Sequence, residues 1–127
     1  KYVKKILKKK NIQKFFFLDQ SFPLLIKTLN SNEKRCAVRF SEFEDIKTVY
    51  NLAEKINWVW VDHFTKFPLN KIISNNLKKK NIKICIVSPE LIKKTSIINI
   101  KKLKNFIQRK KIHIDAICTK NPELWNK

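Results

Sequence analysis

Asp62 and His63 stand together directly after the apolar run Trp58-Val59-Trp60-Val61. An acid and an imidazole in that place can transfer a proton or bind a cation. Neighbouring residues of an extended strand point to opposite faces, so only one of the two is directed inward, and Asp62 is the better candidate. Arg39 closes a second apolar run, Cys36-Ala37-Val38. A guanidinium there can hold a phosphate by paired hydrogen bonds, or it can form a structural ion pair with Asp62 or Asp19. Ser88 and Glu90 follow a third run, Ile84 to Val87. Both residue types also suit a helix start, Ser as a cap and Glu as a charge matched to the dipole. Asp19, Gln20 and Ser21 form a polar rim after Phe15 to Leu18, with Ser21 a further candidate cap. Thr119 and Lys120 follow Ile114 to Cys118, and Lys120 can meet a phosphate or remain a surface lysine. Trp58 and Trp60 share the face of Asp62 and are read as core packing.

These polar groups are placed by a repeating pattern. Each apolar run ends in a polar cluster, and all but the last lead into a helix-like segment. Strand, polar turn and helix is the unit of parallel α/β proteins, whose ligands bind at the carboxyl ends of the strands. Phe43, Ile46, Tyr50 and Ala53 recur at helical spacing, as do Leu69, Ile72, Ile73 and Leu77, then Ile100, Leu103 and Ile107, and also Val3, Ile6 and Leu7. Ser41-Glu42-Phe43-Glu44 reads as a capping box, and Ser88-Pro89-Glu90 as a Ser cap with Pro at the first helical position. Lys8-Lys9-Lys10-Asn11-Ile12, Lys78-Lys79-Lys80-Asn81-Ile82 and Arg109-Lys110-Lys111-Ile112 repeat one message. Basic residues end a helix, a residue stops it in the left-handed conformation, and a strand begins. Asn takes the part usually played by Gly, of which the chain has none. Leu91 to Asn99 matches no pattern beyond a short turn or loop before a helix from about Ile100.

The predicted order is helix and strand alternating through about five parallel strands, joined by right-handed crossovers. Near-continuous apolar runs predict strands covered on both faces. Two architectures fit: an open doubly wound sheet, and a partial β/α (TIM-type) barrel lacking its N-terminal strands. A chain that opens on a helix without its own first strand favours the barrel, with residues 1–127 as one partial domain. The lack of an initiator Met places the expected N-terminus upstream.

Composition narrows the function classes. At 127 residues and +19, the chain invites a nucleic-acid reading. Only Arg35, Arg39 and Arg109 are arginine, and the lysines are spread over every helix. The charge is therefore read as a solvated, A/T-codon-driven surface rather than a nucleic-acid footprint. No apolar run is long enough to cross a membrane. Cys36, Cys85 and Cys118 lie inside apolar runs at spacings that match no zinc site, so they predict buried free thiols in a reducing, cytoplasmic setting. Without Gly there is no phosphate loop. With only His63 and His113, no nucleophilic triad can be assembled.

Gln20-Ser21-Phe22, Ile86-Val87-Ser88-Pro89-Glu90-Leu91 and Ile117-Cys118-Thr119-Lys120-Asn121-Pro122, taken in order, resemble the later strands of glycerophosphodiester phosphodiesterase-like barrels. Arg39-Phe40-Ser41-Glu42-Phe43-Glu44 and Trp60-Val61-Asp62-His63-Phe64 are similar to a bacterial branch of that superfamily. Two departures stand out: Lys120 where the family has Asp, and Pro23 where many members have Asp. The resemblance implies a β/α barrel that hydrolyses glycerophosphodiester-like or phospholipid-derived substrates, using a divalent metal (Mg or Ca) and histidine acid/base groups. Those catalytic groups and metal ligands belong to an His-Arg-Gly motif and to acidic positions on the first strands, which are not in this chain. The chain would then supply strands four to eight and the substrate-side wall, with Arg39, Asp62 and Glu90 foremost and Ser88, Ser21 and Lys120 beside them. Its partners would be the missing N-terminal half of the barrel and a small phosphodiester. By itself it should be inactive, and its unpaired sheet edges should promote self-association. The alternative is a non-catalytic basic α/β module that binds nucleic acid or anionic lipid.

Overall fold

The computed structural model describes residues 2–92 and 97–126. Among them the chain forms α1 (Tyr2–Lys9), α2 (Phe22–Asn30), β1 (Ala37–Phe40), α3 (Ile46–Asn51), β2 (Trp58–Val61), α4 (Lys71–Lys79), β3 (Lys83–Val87), α5 (Ile97–Arg109) and β4 (Ala116–Cys118). The strands pair in parallel in the order β1-β2-β3-β4, so every strand lies beside its neighbours in sequence and the order never reverses. The first apolar run, Phe15 to Leu18, does not become a full strand. It makes one parallel bridge, Phe17 to Cys36, in which Phe17 N–H donates to Arg35 O and Ala37 N–H to Phe17 O. Asp19 turns into the left-handed region at φ 60° and ends the pairing there. The sheet therefore has four strands and a bridge where five strands are expected.

Register sorts the strand side chains into two sets. Val38, Val59 and Ile84 form one cross-strand row, and Phe40, Val61, Ile86 and Ile117 the next. These rows pack into a single core with Leu25 and Leu29 of α2, Val49 of α3, Leu77 of α4, and Leu103, Phe106 and Ile107 of α5. The opposite face carries the rows Ala37-Trp58-Lys83 and Arg39-Trp60-Cys85-Ala116. Among the described residues none of these side chains joins the core cluster: Trp58 and Trp60 are half-buried, Arg39 and Lys83 are exposed, and only the small Ala37 and Cys85 are buried. Phe16 stacks across the two indoles, with centroids 4.9 and 6.2 Å away. Helices thus cover one face, not both as the apolar runs predict, because the second set is aromatic and cationic rather than aliphatic.

The helix stops behave as expected. Asn11, Asn81 and Lys111 have φ of 53°, 58° and 53°. After each, an Ile N–H reaches five residues back into the helix: Ile12 to Leu7 O at 2.9 Å, Ile82 to Leu77 O at 3.0 Å, and Ile112 to Ile107 O at 3.0 Å. This is the Schellman arrangement with its apolar pair, used three times. Asn32, after α2, is a fourth left-handed stop, at φ 60°.

The helix starts differ more. Ser41 and Glu44 do pair, Oγ to Oε2 at 2.8 Å, but in a tight turn that precedes the helix. Asp45 is the cap of α3, accepting from Lys47 N–H, and Phe43 lies outside the helix and is exposed. Asn70, not read as a cap from sequence, accepts from Ile73 N–H at the start of α4. Pro89 begins a single 3-10 turn, Pro89–Leu91, while α5 starts at Ile97. The rest of the unassigned stretch, residues 93–96, lies outside the described residues. Val3 and Ile6 of α1 and Ile72 of α4 are exposed rather than in the core.

Candidate functional site

Strand ends β1 and β2 place Arg39 and Asp62 on the same face, one register step apart. Arg39 Nη1–H donates to Asp62 Oδ2 at 2.6 Å. Nε–H donates to Asp19 Oδ1 at 2.9 Å, and Nη2 contacts the same oxygen. Both expected ion pairs of Arg39 therefore form together. The Asp19 hydrogen bond first, and the Asp62 charge with it, push the guanidinium pKa still higher against partial burial. Asp62 is buried, and its Oδ1 accepts from Trp60 Nε1 at 3.0 Å. Trp60 thus orients the carboxylate as well as filling space, a role not read from sequence. His63 turns the other way, with Nε2 3.0 Å from Val87 O and its ring edge-on to Phe67. A cleft of about 350 Å³ adjoins Arg39, bordered by Asp19, Gln20, Glu44, Asp45 and Thr48.

A second group sits after β3 and β4. Glu90 Oε1 accepts from the Thr119 hydroxyl and from Lys120 N–H at 3.0 Å. Burial raises the Glu90 pKa, but the hydroxyls of Ser88 and Thr119 and the Lys120 N–H outweigh it and hold the carboxyl low. Lys120 contributes its backbone here and leaves its side chain exposed. Ser88 is fully buried, makes no cap bond, and accepts from Trp125 Nε1 at 3.0 Å. It braces the segment after β4, which corrects the cap reading given to it from sequence. Ser21 is exposed at the cap position of α2, also without a side-chain cap bond. Among the described residues, no hydrogen bond or ion pair joins the Arg39 group to the Glu90 group.

Glu42, just after β1, is a carboxylate that sequence reasoning passed over as a site residue; it is held by the loop after β2. Its Oε1 accepts from the N–H groups of Phe64 (2.8 Å), Thr65 (2.5 Å) and Lys66 (3.1 Å) and from the Thr65 hydroxyl (3.1 Å). Burial raises its pKa, but the N–H groups of Thr65, Lys66 and Phe64 win and hold it at about 2. A partner more than twenty positions away leaves no local mark in sequence. Among the described residues, three side-chain acceptors, Gln20 Oε1, Glu42 Oε2 and Glu90 Oε2, are buried without a hydrogen bond. All three lie just beyond the carboxyl end of a strand or of the Phe17 bridge.

The carboxylates at this end already have partners, and among the described residues no group of three or more His, Cys, Asp or Glu could hold a metal. As they stand, these residues do not fit the divalent ion that the resemblance implies, whose ligands it places on earlier strands. No family model, curated protein or solved structure matches the chain. Likewise, no helix among the described residues is long and apolar enough to cross a membrane.

Proposed function

We propose that this chain is the C-terminal wall of a β/α-barrel phosphodiesterase, and that Arg39 is its contact to the substrate phosphate. The observation that carries this reading is the arrangement of the sheet. Parallel strands in sequential order, with helices packed on one face only, match a stretch of barrel wall, where the uncovered face turns inward. A doubly wound sheet would place helices on both faces and reverse its strand order. The polar groups then sit at the mouth.

Arg39 is suited to the phosphate by what remains free. A guanidinium has five N–H donors, and three of them face Asp19 and Asp62. Asp62 is buried and fixes the side chain. Asp19 has a 63% exposed side chain, and exposed ion pairs contribute little. A phosphate oxygen can therefore take the place of Asp19 while Asp62 keeps the guanidinium aimed. The buried acceptors of Gln20, Glu42 and Glu90 suit a ligand with several hydroxyl donors, in keeping with a glycerol-type alcohol. Ser21 and Lys120 are exposed at the same rim. The catalytic base and metal ligands would come from the first strands of the barrel.

Titration with glycerol 3-phosphate, followed by calorimetry and by the backbone amide shifts of residues 19–21 and 60–62, tests the assignment. Binding in the millimolar range should vanish in Arg39→Ala and tighten several-fold in Asp19→Asn, which removes the competing charge. Binding indifferent to both substitutions would remove Arg39 from the phosphate site.

A further inference from the structure

A second recessed surface lies at the opposite, amino-terminal end of the sheet. A cavity of about 760 Å³ is bordered by Lys14, Phe15, Phe16, Arg35, Trp58 and Lys83. A neighbouring cavity of about 390 Å³ runs on toward Lys4 and Lys8 of α1 and Asn11 just after it, and the two share Gln13, Phe15 and Arg35 as a common wall. Together they make one trough. Every charged residue lining it is cationic, and the amide side chains of Asn11, Gln13 and Asn57 are interspersed among them. Cations already lie over the rings: Arg35 is 4.3 Å from the Phe15 centroid and Lys83 is 5.5 Å from that of Trp58. Glu33 stands behind the wall and pairs with Arg35 at 2.7 Å and Lys4 at 3.4 Å. The exposed lysines Lys8, Lys14 and Lys83 remain to face an incoming anion.

We infer that this trough binds single-stranded nucleic acid, with its lysines along the phosphates and its aromatic rings against the bases. The complementarity is twofold. A row of cations tracks a polyanion, and rings stack on bases of any sequence. Amide side chains offer both a donor and an acceptor to base edges. An anionic membrane would meet the same lysines but gives the rings and amides nothing specific to engage. This reading does not rest on the phosphate site, which lies at the other end of the strands, but it needs the face of Trp58 and Lys83 open; a closed barrel would turn that face inward, so nucleic-acid binding by this chain would also count against closure.

The test uses a labelled twelve-nucleotide oligothymidylate, an abasic strand of equal length, and vesicles of anionic phospholipid. The oligothymidylate should bind about tenfold more tightly than the abasic strand, as expected for one or two stacked bases. In the double substitution Lys14→Gln/Lys83→Gln, affinity should fall and the slope of log K against log salt should lessen by about 1.4. Lys101→Gln/Lys102→Gln, two exposed charges removed from α5, should change both far less. Trp58→Leu, checked for native circular dichroism, should erase the preference over the abasic strand. Should that variant fail to fold, the lysine pair and the abasic strand still decide the matter. Equal binding of the two strands, equal effects of the two lysine pairs, or vesicle binding that matches the oligothymidylate and falls with it in Lys14→Gln/Lys83→Gln would each overturn the proposal.

Discussion

Arg39 shows how far single residues can be read before the fold is known. Its place at a strand end, with Asp19 and Asp62 after neighbouring runs, is visible in the order of the chain, and both pairings form. The bond from Trp60 to Asp62 follows from the two-residue alternation of a strand, which puts both on one side. The cradle around Glu42 has no such signature, because its donors are backbone N–H groups on another loop. Glu33 and Glu42 tie the stability of the fold to acid pH. Hydrogen bonding from Arg35 holds Glu33 at about 2, down from 4.5, and the 64–66 backbone does the same for Glu42. A folded-state pKa below the unfolded one adds stability that is complete above about pH 4.5 and lost as the pH falls toward 2. Melting temperatures recorded downward from about pH 6 should hold until near pH 4.5 and then drop steadily. Glu33→Gln should lower the plateau and flatten the drop; an unchanged acid profile would show that these carboxyls titrate normally. Thiol chemistry is graded in the same way. Burial first, with Cys118 nearby, pushes Cys85 up to about 11, leaving it unreactive at neutral pH.

At the level of elements, the helix ends were more legible than the helix starts. A left-handed stop needs only a short local pattern, and the basic-Asn-Ile motif supplies all of it at Asn11 and Asn81. Starts are set by whichever residue turns the chain, and two polar residues often compete for that place. Ser41 and Glu44 satisfied each other in a turn, which passed the capping role to Asp45. The run Phe15 to Leu18 looked like a strand and kept a single bridge, since the left-handed Asp19 leads it away from β1. Lys111 is the odd member of the three Schellman stops, with a Cβ in a conformation that costs non-glycine residues about 1–2 kcal/mol. Lys111→Gly should therefore raise stability by about 1 kcal/mol in urea unfolding, while Asn81→Val should lower it by at least as much. A loss on Lys111→Gly would mean that the lysine stem makes a compensating contact.

Over the whole molecule, the α/β class and the sequential sheet follow from the alternation of runs and stripes, yet the one-sided cover did not. Apolar runs announce burial without saying which layer provides it, and Trp58 and Trp60 counted as core until the register set them on the uncovered face. That face and the sheet borders at Phe17 and β4 leave backbone and rings available for association. A charge of +19 opposes it. Sedimentation should find single chains at low ionic strength and growing self-association as salt shortens the Debye length from about 30 Å to about 8 Å. Dissociation with added salt would instead point to ion-pair contacts between copies.

Strict neighbour order also governs how the assembly comes apart. Each ladder joins one unit to the next and no strand reaches past its neighbour, so a load applied at either border is never shared by the whole sheet. Pulled from its ends, the protein should peel like a zip, in several small force steps; one all-or-none rupture would show that the common core shares the load.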